Sequence, residues 1–251
     1  DNSRFWNSND FSSIKLRNGK IRLGSWSQMP ITCNMFAKDC KFESSDANGN
    51  YGVHVFKKNR FENCEFDNTS LFGDLFYYNT NKLIVESSHF HGEHTKVLVN
   101  GYGYSIKNSR FHHCEGVRSE NMSIPSVLYA CDFIGGNPLG NLYRGVFDDS
   151  EVALQVRKCK IQDSGAYGIQ KKRGELSVQC SEIKGALKGI HLEYGFLNLS
   201  RGFGGGDNFI HSNKVNLQLD YAYGLHLNYG FNRISNPIEE NITGSIYGEC
   251  S

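Results

Sequence analysis

Residues 83–90, LIVESSHF, contain the pattern that decides the fold: apolar side chains alternate, a small residue follows at Ser88, and an apolar residue stands two positions later. Residues 104–111, YSIKNSRF, repeat this pattern 21 residues further along the chain. The small residue is Cys or Ser, and it recurs at positions 40, 64, 88, 109, 131, 159 and 181. Recurrence at this period predicts a solenoid, in which each repeat buries its apolar side against its neighbours.

The alternation inside each repeat predicts short β-strands. Leu83 and Val85 are two residues apart, so their side chains point to the same side of a strand. Ser88 follows Val85 by three positions, which is one residue too many for strict alternation. We therefore expect the chain to turn a corner between two short strands at this point.

Two further patterns run at the same period. A Gly followed by an aliphatic residue opens residues 52–55, and the same pattern returns at Gly168, Gly189 and Gly224. The 116 residues from Gly52 to Gly168 include five of the Cys or Ser positions, so both series count the same number of repeats. Near the end of the chain, Asn208 and Asn232 stand 24 residues apart in similar surroundings. Asn suits a tight corner because it tolerates left-handed backbone.

Together these patterns resemble the right-handed parallel β-helix, the pectate-lyase-like superfold, over roughly residues 36 to 240. The leucine-rich repeat is disfavoured, because Phe, Val, Gly and Cys stand where that repeat requires Leu. We predict an all-β fold, a right-handed parallel β-helix solenoid of about ten coils with about 23 residues each.

The two ends of the chain follow the pattern less well. We expect residues 1–35 to form an N-terminal cap or an irregular first coil, residues 36–240 the parallel β-helix, and residues 241–251 a terminal edge coil or the start of a linker. The chain begins with Asp1 instead of Met, so we expect a processed piece of a longer product, with further domains of the same polypeptide as possible partners.

The composition of the chain argues against nucleic-acid binding and against a transmembrane segment. The 251 residues include 27 basic and 26 acidic side chains, for a net charge of +1, and the basic residues are scattered. Phosphate backbones require clustered Lys and Arg, so we expect no nucleic-acid partner. No apolar run is long enough to cross a bilayer, so we expect no transmembrane segment.

The cysteines fall into two groups. Cys40, Cys64, Cys131 and Cys159 occupy the repeat position that Ser takes elsewhere, which predicts a buried ladder of small side chains. The disulfide candidates lie outside this ladder and are Cys33, Cys114, Cys180 and Cys250. No Cys-x-x-Cys motif occurs, so we expect no metal site built from these thiols.

The longest gap between repeat positions, from residue 131 to residue 159, predicts a protruding loop near residues 135–144. In this loop Tyr143 could stack on a sugar ring, and Arg144 could bind an acidic or hydroxyl group. Asp148 and Asp149 follow the loop and are candidate catalytic residues or Ca²⁺ ligands. The alternative is a solvated turn without a function.

Histidines and tyrosines give weaker candidates. His91 and His112 follow equivalent Phe residues, so we expect them to align on adjacent coils as a ligand-binding, metal-binding or pH-sensitive patch, or as an ordinary polar face. The pairs Tyr102-x-Tyr104 and Tyr221-x-Tyr223 suit carbohydrate stacking if the rings are exposed, and fill the core if they are buried.

The resemblance also implies candidate activities, because many proteins of this superfold are polysaccharide lyases or hydrolases. Of the motifs typical of the polygalacturonase branch, only the Asp-Asp pair at residues 148–149 is present. Whether the protein is an enzyme therefore stays open, and the missing motifs favour a protein without catalytic activity. We expect no cofactor, although a lyase would require Ca²⁺.

These observations lead to one expected function and two alternatives. We expect a secreted or cell-surface module, a glycan-binding or adhesive scaffold within a larger surface protein, with a polysaccharide or surface glycan as partner. The first alternative is a polysaccharide lyase or glycoside hydrolase that acts on an acidic polysaccharide. The second is a segment of a trimeric viral or phage fibre.

Overall fold

The protein is a stack of parallel β-strands. The computed structural model describes residues 13–23, 28–31, 34–44, 52–55, 59–73, 82–93, 95–135, 144–199, 207–226, 232–235 and 238–247. These residues form 25 strands, all paired in parallel, and no helix occurs among them. The predicted all-β parallel β-helix is therefore confirmed.

The strands of the coils form three faces, and in the earlier coils each face receives a separate strand. Face 1 contains β1 (Ser13–Arg17), β4 (Asn34–Lys38), β7 (Asn59–Glu62), β10 (Leu83–Glu86), β13 (Tyr104–Lys107), β16 (Ser126–Tyr129) and β19 (Leu154–Arg157). Face 2 contains β2 (Lys20–Leu23), β5 (Lys41–Ser44), β8 (Glu65–Asp67), β11 (His89–His91), β14 (Arg110–His112), β17 (Asp132–Ile134), β22 (Phe209–His211) and β24 (Arg233–Ile234). Face 3 contains β3 (Gln28–Ile31), β6 (Gly52–Val55), β9 (Ser70–Gly73), β12 (Lys96–Asn100), β15 (Gly116–Glu120) and β18 (Arg144–Asp149).

Four longer strands continue across the corners in the later coils. They are β20 (Lys160–Gln179), β21 (Glu182–Asn198), β23 (Val215–His226) and β25 (Ile238–Tyr247). The strands β20 and β21 pass through faces 2, 3 and 1 in turn, whereas β23 and β25 pass through faces 3 and 1.

About eight full coils, between Asn34 and Leu219, have described side chains on all three faces. A partly described coil flanks them at each end. The class of fold agrees with the prediction, and the number of full coils is slightly below the predicted ten.

The interior is filled by aligned side chains. On face 2 the rings of five Phe residues stack with centroids 4.5–4.9 Å apart and planes within 9° of parallel, and none of these residues is more than 3 % exposed. This Phe ladder consists of Phe42, Phe66, Phe90, Phe111 and Phe133. Ile161, Ile183 and Ile210 continue it through the following coils. The inward-facing side chains of each coil therefore pack on the equivalent side chains of the next coil, as the repeat pattern predicts.

The corner between faces 1 and 2 explains the extra residue in each repeat. The residue before each Cys or Ser position has a φ of 49–54°, in the left-handed region. One left-handed residue turns the chain between two strands and shifts the alternation by one position. Seven residues precede the Cys or Ser positions in this conformation, and they are Asp39, Asn63, Ser87, Asn108, Ala130, Lys158 and Cys180. Asn18 and Asp207 have the same conformation before Gly19 and Asn208 at the equivalent corner.

The Cys and Ser side chains form the buried ladder that the sequence predicts. The Ser88 hydroxyl accepts a hydrogen bond from the Cys64 amide at 3.1 Å, and the Ser109 hydroxyl accepts one from the Ser88 amide at 3.2 Å. Asn208 and Asn232 take over the same position in the last coils. Each of these Ser and Asn side chains thus satisfies a backbone donor of the coil before it.

The cysteines in the described part of the chain are free, which corrects the expectation for two of them. Cys114 and Cys180 form no disulfide, and Cys33 and Cys250 lie outside the described residues. Burial raises the pKa of the Cys64 and Cys114 thiols to about 12. These thiols are protonated at neutral pH and therefore poor nucleophiles.

The same parallel strand pairing occurs near both ends of the chain. Strands β1, β2 and β3 pair with β4, β5 and β6, so these three strands belong to the same stack. At the other end β25 pairs with β23. Within the described part of the chain, no helix is long and apolar enough to cross a membrane.

Candidate functional site

Strand β18 places the two candidate catalytic aspartates on opposite sides of the solenoid wall. Successive side chains of a strand point to opposite sides. Asp148 points inward with Val146 and is 1 % exposed, whereas Asp149 points outward. The two carboxylates therefore do not share a surface.

Asp148 is held by a buried lysine. The side chain of Lys171, on the next coil, is 0 % exposed, and its Nζ lies 3.0 Å from Asp148 Oδ2. The same Nζ donates to the carbonyl oxygens of Ser150 and Val152, each at 2.9 Å. Burial raises the pKa of Asp148 and lowers that of Lys171, although the attraction between the two groups opposes both shifts. This geometry favours a structural role for Asp148, and a catalytic role stays an untested prediction.

Asp149 lies on the outer surface between two cations. Its carboxylate is 2.8 Å from Lys172 Nζ and 3.1 Å from Arg173 NH2. Partial burial opposes ionisation, but the hydrogen bonds from Lys172 and Arg173 outweigh it and lower the pKa of Asp149. Asp149 is therefore an anion at neutral pH that already has its countercharges.

An open groove of about 490 Å³ runs beside Asp149 along the edge of face 3. We call it the tyrosine groove, and it is lined by Asp149, Lys172, Arg173, Glu193, Tyr194, Asp220 and Tyr221. Arg173, Tyr194 and Tyr221 occupy equivalent positions on three successive coils. The groove therefore crosses the coils instead of following one of them.

Three tyrosine rings project from this region into solvent. Tyr194, Tyr221 and Tyr223 are 57 %, 59 % and 49 % exposed, and the rings of Tyr194 and Tyr223 meet edge to face at 5.7 Å. By contrast, Tyr102 and Tyr104 are 2 % and 0 % exposed. Both alternatives for the tyrosine pairs thus occur: the earlier pair fills the core, and the later pair faces solvent.

Glu193 and Asp220, the remaining carboxylates of the groove, have fixed positions. Gln170 donates a hydrogen bond to Glu193. Asp220 Oδ2 lies 2.7 Å from His191 Nε2, and Gln218 donates to Asp220 Oδ1 at 2.7 Å. Burial would raise the pKa of Asp220, but these hydrogen bonds outweigh it and lower the pKa. The groove therefore presents ordered acceptors to a ligand.

His191 lies beside Asp220 and is itself held in place by an aromatic stack. Its side chain is 7 % exposed although it points outward, because the Tyr167 ring stacks on it at 5.5 Å with an interplanar angle of 13°. Lys188 in turn lies 5.4 Å from the centre of the Tyr167 ring. This stack fixes the orientation of the imidazole and, through it, of the Asp220 carboxylate.

The two predicted ligand-binding histidines lie on face 2, away from the tyrosine groove. His91 and His112 pair in register on adjacent coils, as expected from the sequence. His91 contacts Glu65 and Asp67 of the preceding coil. His89 lies between the two, with ring centroids 5.1 Å from His91 and 5.3 Å from His112.

Most of the predicted protruding loop, residues 135–144, lies outside the described part of the chain. Tyr143 and residues 136–142 lie outside the described residues, and for Arg144 only the backbone is described, paired with Tyr167. Their roles in ligand binding stay predictions.

Searches against protein-family models, curated protein sequences and solved structures returned no match. The fold and the groove therefore define the class of this protein on their own: it is a parallel β-solenoid with an aromatic and polar groove on one outer edge.

Proposed function

We propose that this protein is a glycan-binding module that holds a polysaccharide in the tyrosine groove. The observation that carries the proposal is the group of exposed rings, Tyr194, Tyr221 and Tyr223, beside a groove of ordered polar side chains. Large exposed aromatic rings are unusual on a soluble surface and mark interaction sites. Tyr offers a flat apolar ring with a polar tip, which suits the faces and hydroxyls of sugars.

The charge of the groove favours a neutral or weakly charged glycan. Three carboxylates and two cations line it, and both cations are bound to Asp149. A polyanion would meet the carboxylates of Glu193 and Asp220 without a free cation among the groove-lining side chains. The hydroxyl groups of a neutral sugar can donate to these same carboxylates.

A glycan array, followed by calorimetric titration of the best ligand, tests this proposal. The double variant Tyr194→Ala, Tyr221→Ala is expected to weaken binding about 5-fold or more, because two aromatic contacts of about 0.5–1.5 kcal/mol each contribute about 1–3 kcal/mol. Phe209→Ala is the matched control, since it removes a ring that is 42 % exposed on face 2, outside the groove. Equal losses in both variants, or no glycan bound by the native protein, would contradict the proposal.

One observation favours an enzyme as the second candidate. Leu192 pairs with Leu219, so Glu193 and Asp220, which follow them, occupy the same outward position on adjacent coils. Two carboxylates close together can act as acid and base on a glycosidic bond. Release of reducing sugar from the bound glycan, lost in Glu193→Gln and in Asp220→Asn, would establish this alternative over simple binding.

The proposal includes a secreted or cell-surface location, where surface glycans are available as partners. The fibre alternative requires a trimer. Size-exclusion chromatography with light scattering separates a trimeric fibre segment from a monomeric binding module.

A further inference from the structure

We propose a binding site for a divalent transition metal, with Zn²⁺ as the representative ion, formed by Glu65, Asp67 and His91 on face 2. It does not involve the tyrosine groove and does not depend on the proposed glycan binding.

The three side chains come together through the register of two coils. Glu65 and Asp67 are two residues apart on β8, so both point outward, and His91 on β11 pairs with Asp67. His91 Nε2 lies 2.9 Å from Glu65 Oε1, and His91 Nδ1 lies 3.4 Å from Asp67 Oδ1. One ligand atom from each residue falls within 4.8 Å of the other two, so a small adjustment of rotamers brings all three around one ion.

The ligand set decides the class of ion. One imidazole nitrogen and two carboxylate oxygens suit Zn²⁺ and related transition metals, whereas Ca²⁺ and Mg²⁺ prefer oxygen ligands alone. Three protein ligands leave a fourth position for water. The side chains of Glu65, Asp67 and His91 are 41 %, 27 % and 30 % exposed, so an ion can enter from solvent.

Lys41 is the competitor for this position. Its Nζ lies 2.8 Å from Glu65 Oε1 and 3.1 Å from Asp67 Oδ2, so one ammonium partly neutralises two carboxylates. Lys41 Nζ is also 3.8 Å from Glu43 Oε2, so the lysine retains a carboxylate partner when an ion displaces it. Lys41 therefore sets the affinity of the site without blocking it.

Calorimetric titration of the whole chain with Zn²⁺ at pH 7.5, in a buffer without chelators and with any affinity tag removed, tests the site. We expect saturable binding of one ion. His91→Ala should weaken it at least 10-fold, since it removes the only nitrogen ligand of the three. Lys41→Met should strengthen it several-fold, because the competing cation is gone. Ca²⁺ under the same conditions should give no saturable binding.

His112→Ala is the matched control, because His112 is the register partner of His91 but belongs to no such cluster within the described residues. We expect it to change the affinity less than 3-fold, with circular dichroism showing that each variant is folded. The proposal is overturned if the native protein gives no saturable Zn²⁺ binding, or if His91→Ala and His112→Ala bind Zn²⁺ equally well.

Discussion

Replacement of Lys171 by alanine is expected to lower the free energy of unfolding by about 3–5 kcal/mol. The variant leaves the Asp148 carboxylate inside the solenoid, where it is 1 % exposed, without its cation. It also removes the donor to the carbonyl oxygens of Ser150 and Val152. A buried carboxylate without a partner must take up a proton or draw water into the core, and either response costs stability.

Chemical denaturation of three variants measures this effect. Lys172→Ala is the neighbouring control, because Lys172 pairs with Asp149 at the surface and its loss should cost at most about 1 kcal/mol. The double variant Asp148→Leu, Lys171→Met replaces the buried pair with apolar side chains and should be neutral or stabilising by about 1–4 kcal/mol. If Lys171→Ala costs no more than Lys172→Ala, the two charges are not buried together as described.

Replacement of Phe90 by alanine is expected to cost about 3–5 kcal/mol of stability, the range for large-to-small substitutions of aromatic residues in a core. Phe90 is 0 % exposed and lies at the middle of the Phe ladder, with neighbouring ring centroids at 4.5 and 4.8 Å. The substitution opens a cavity between two coils and removes both ring contacts. The surrounding strands are fixed by pairing on either side, so the cavity cannot close fully.

Thermal and chemical denaturation of Phe90→Ala and Phe90→Leu, with Phe209→Ala as a surface control, measure the cost of the cavity. Phe90→Leu should cost less than Phe90→Ala, because it retains most of the apolar volume. Phe209→Ala should stay within about 0.5 kcal/mol of the native protein. A loss below about 1 kcal/mol for Phe90→Ala would mean that the Phe ladder does not form the core.

The sequence predicts the stacking well because the repeat positions report burial directly. Phe66, Phe90 and Phe111 recur at the coil period, and a side chain of that size at an inward position can only pack on its equivalents in neighbouring coils. The left-handed corner is harder to recognise, since Ala130 and Lys158 occupy it as well as Asn and Asp. For those two residues the paired strands on either side, not the local preference of the residue, impose the conformation.

The candidate site is less predictable because it depends on whether each side chain points into the solenoid or towards solvent. Asp148 and Asp149 are adjacent, so only the register of β18 shows that Asp148 is the buried one. Tyr102 and Tyr221 stand in similar Tyr-x-Tyr patterns, yet one is buried and the other exposed. Glu193 and Asp220 lie in different repeats, and the register between these coils shifts between Gly195 and Phe196. Irregular repeats of this kind cannot be aligned from the spacing of the sequence alone.

The central claim, that successive coils stack in register, is tested most directly by distances between spin labels along one outward row of face 2. Lys20, Arg110, Lys160 and Arg233 are exposed and belong to the same row. Relative to Lys20, the other three positions lie four, six and nine coils along it. Labels can be attached to cysteines at these positions after replacement of Cys33, Cys180 and Cys250 by serine.

Pulsed electron paramagnetic resonance should then give distances from residue 20 of about 19 Å to residue 110, about 29 Å to residue 160 and about 43 Å to residue 233, at about 4.8 Å per coil. Labels in one row point in the same direction, so the lengths of their linkers add little to the measured distances. Distances that rise in proportion to the number of coils support the stack. Distances that do not increase in this order would contradict it.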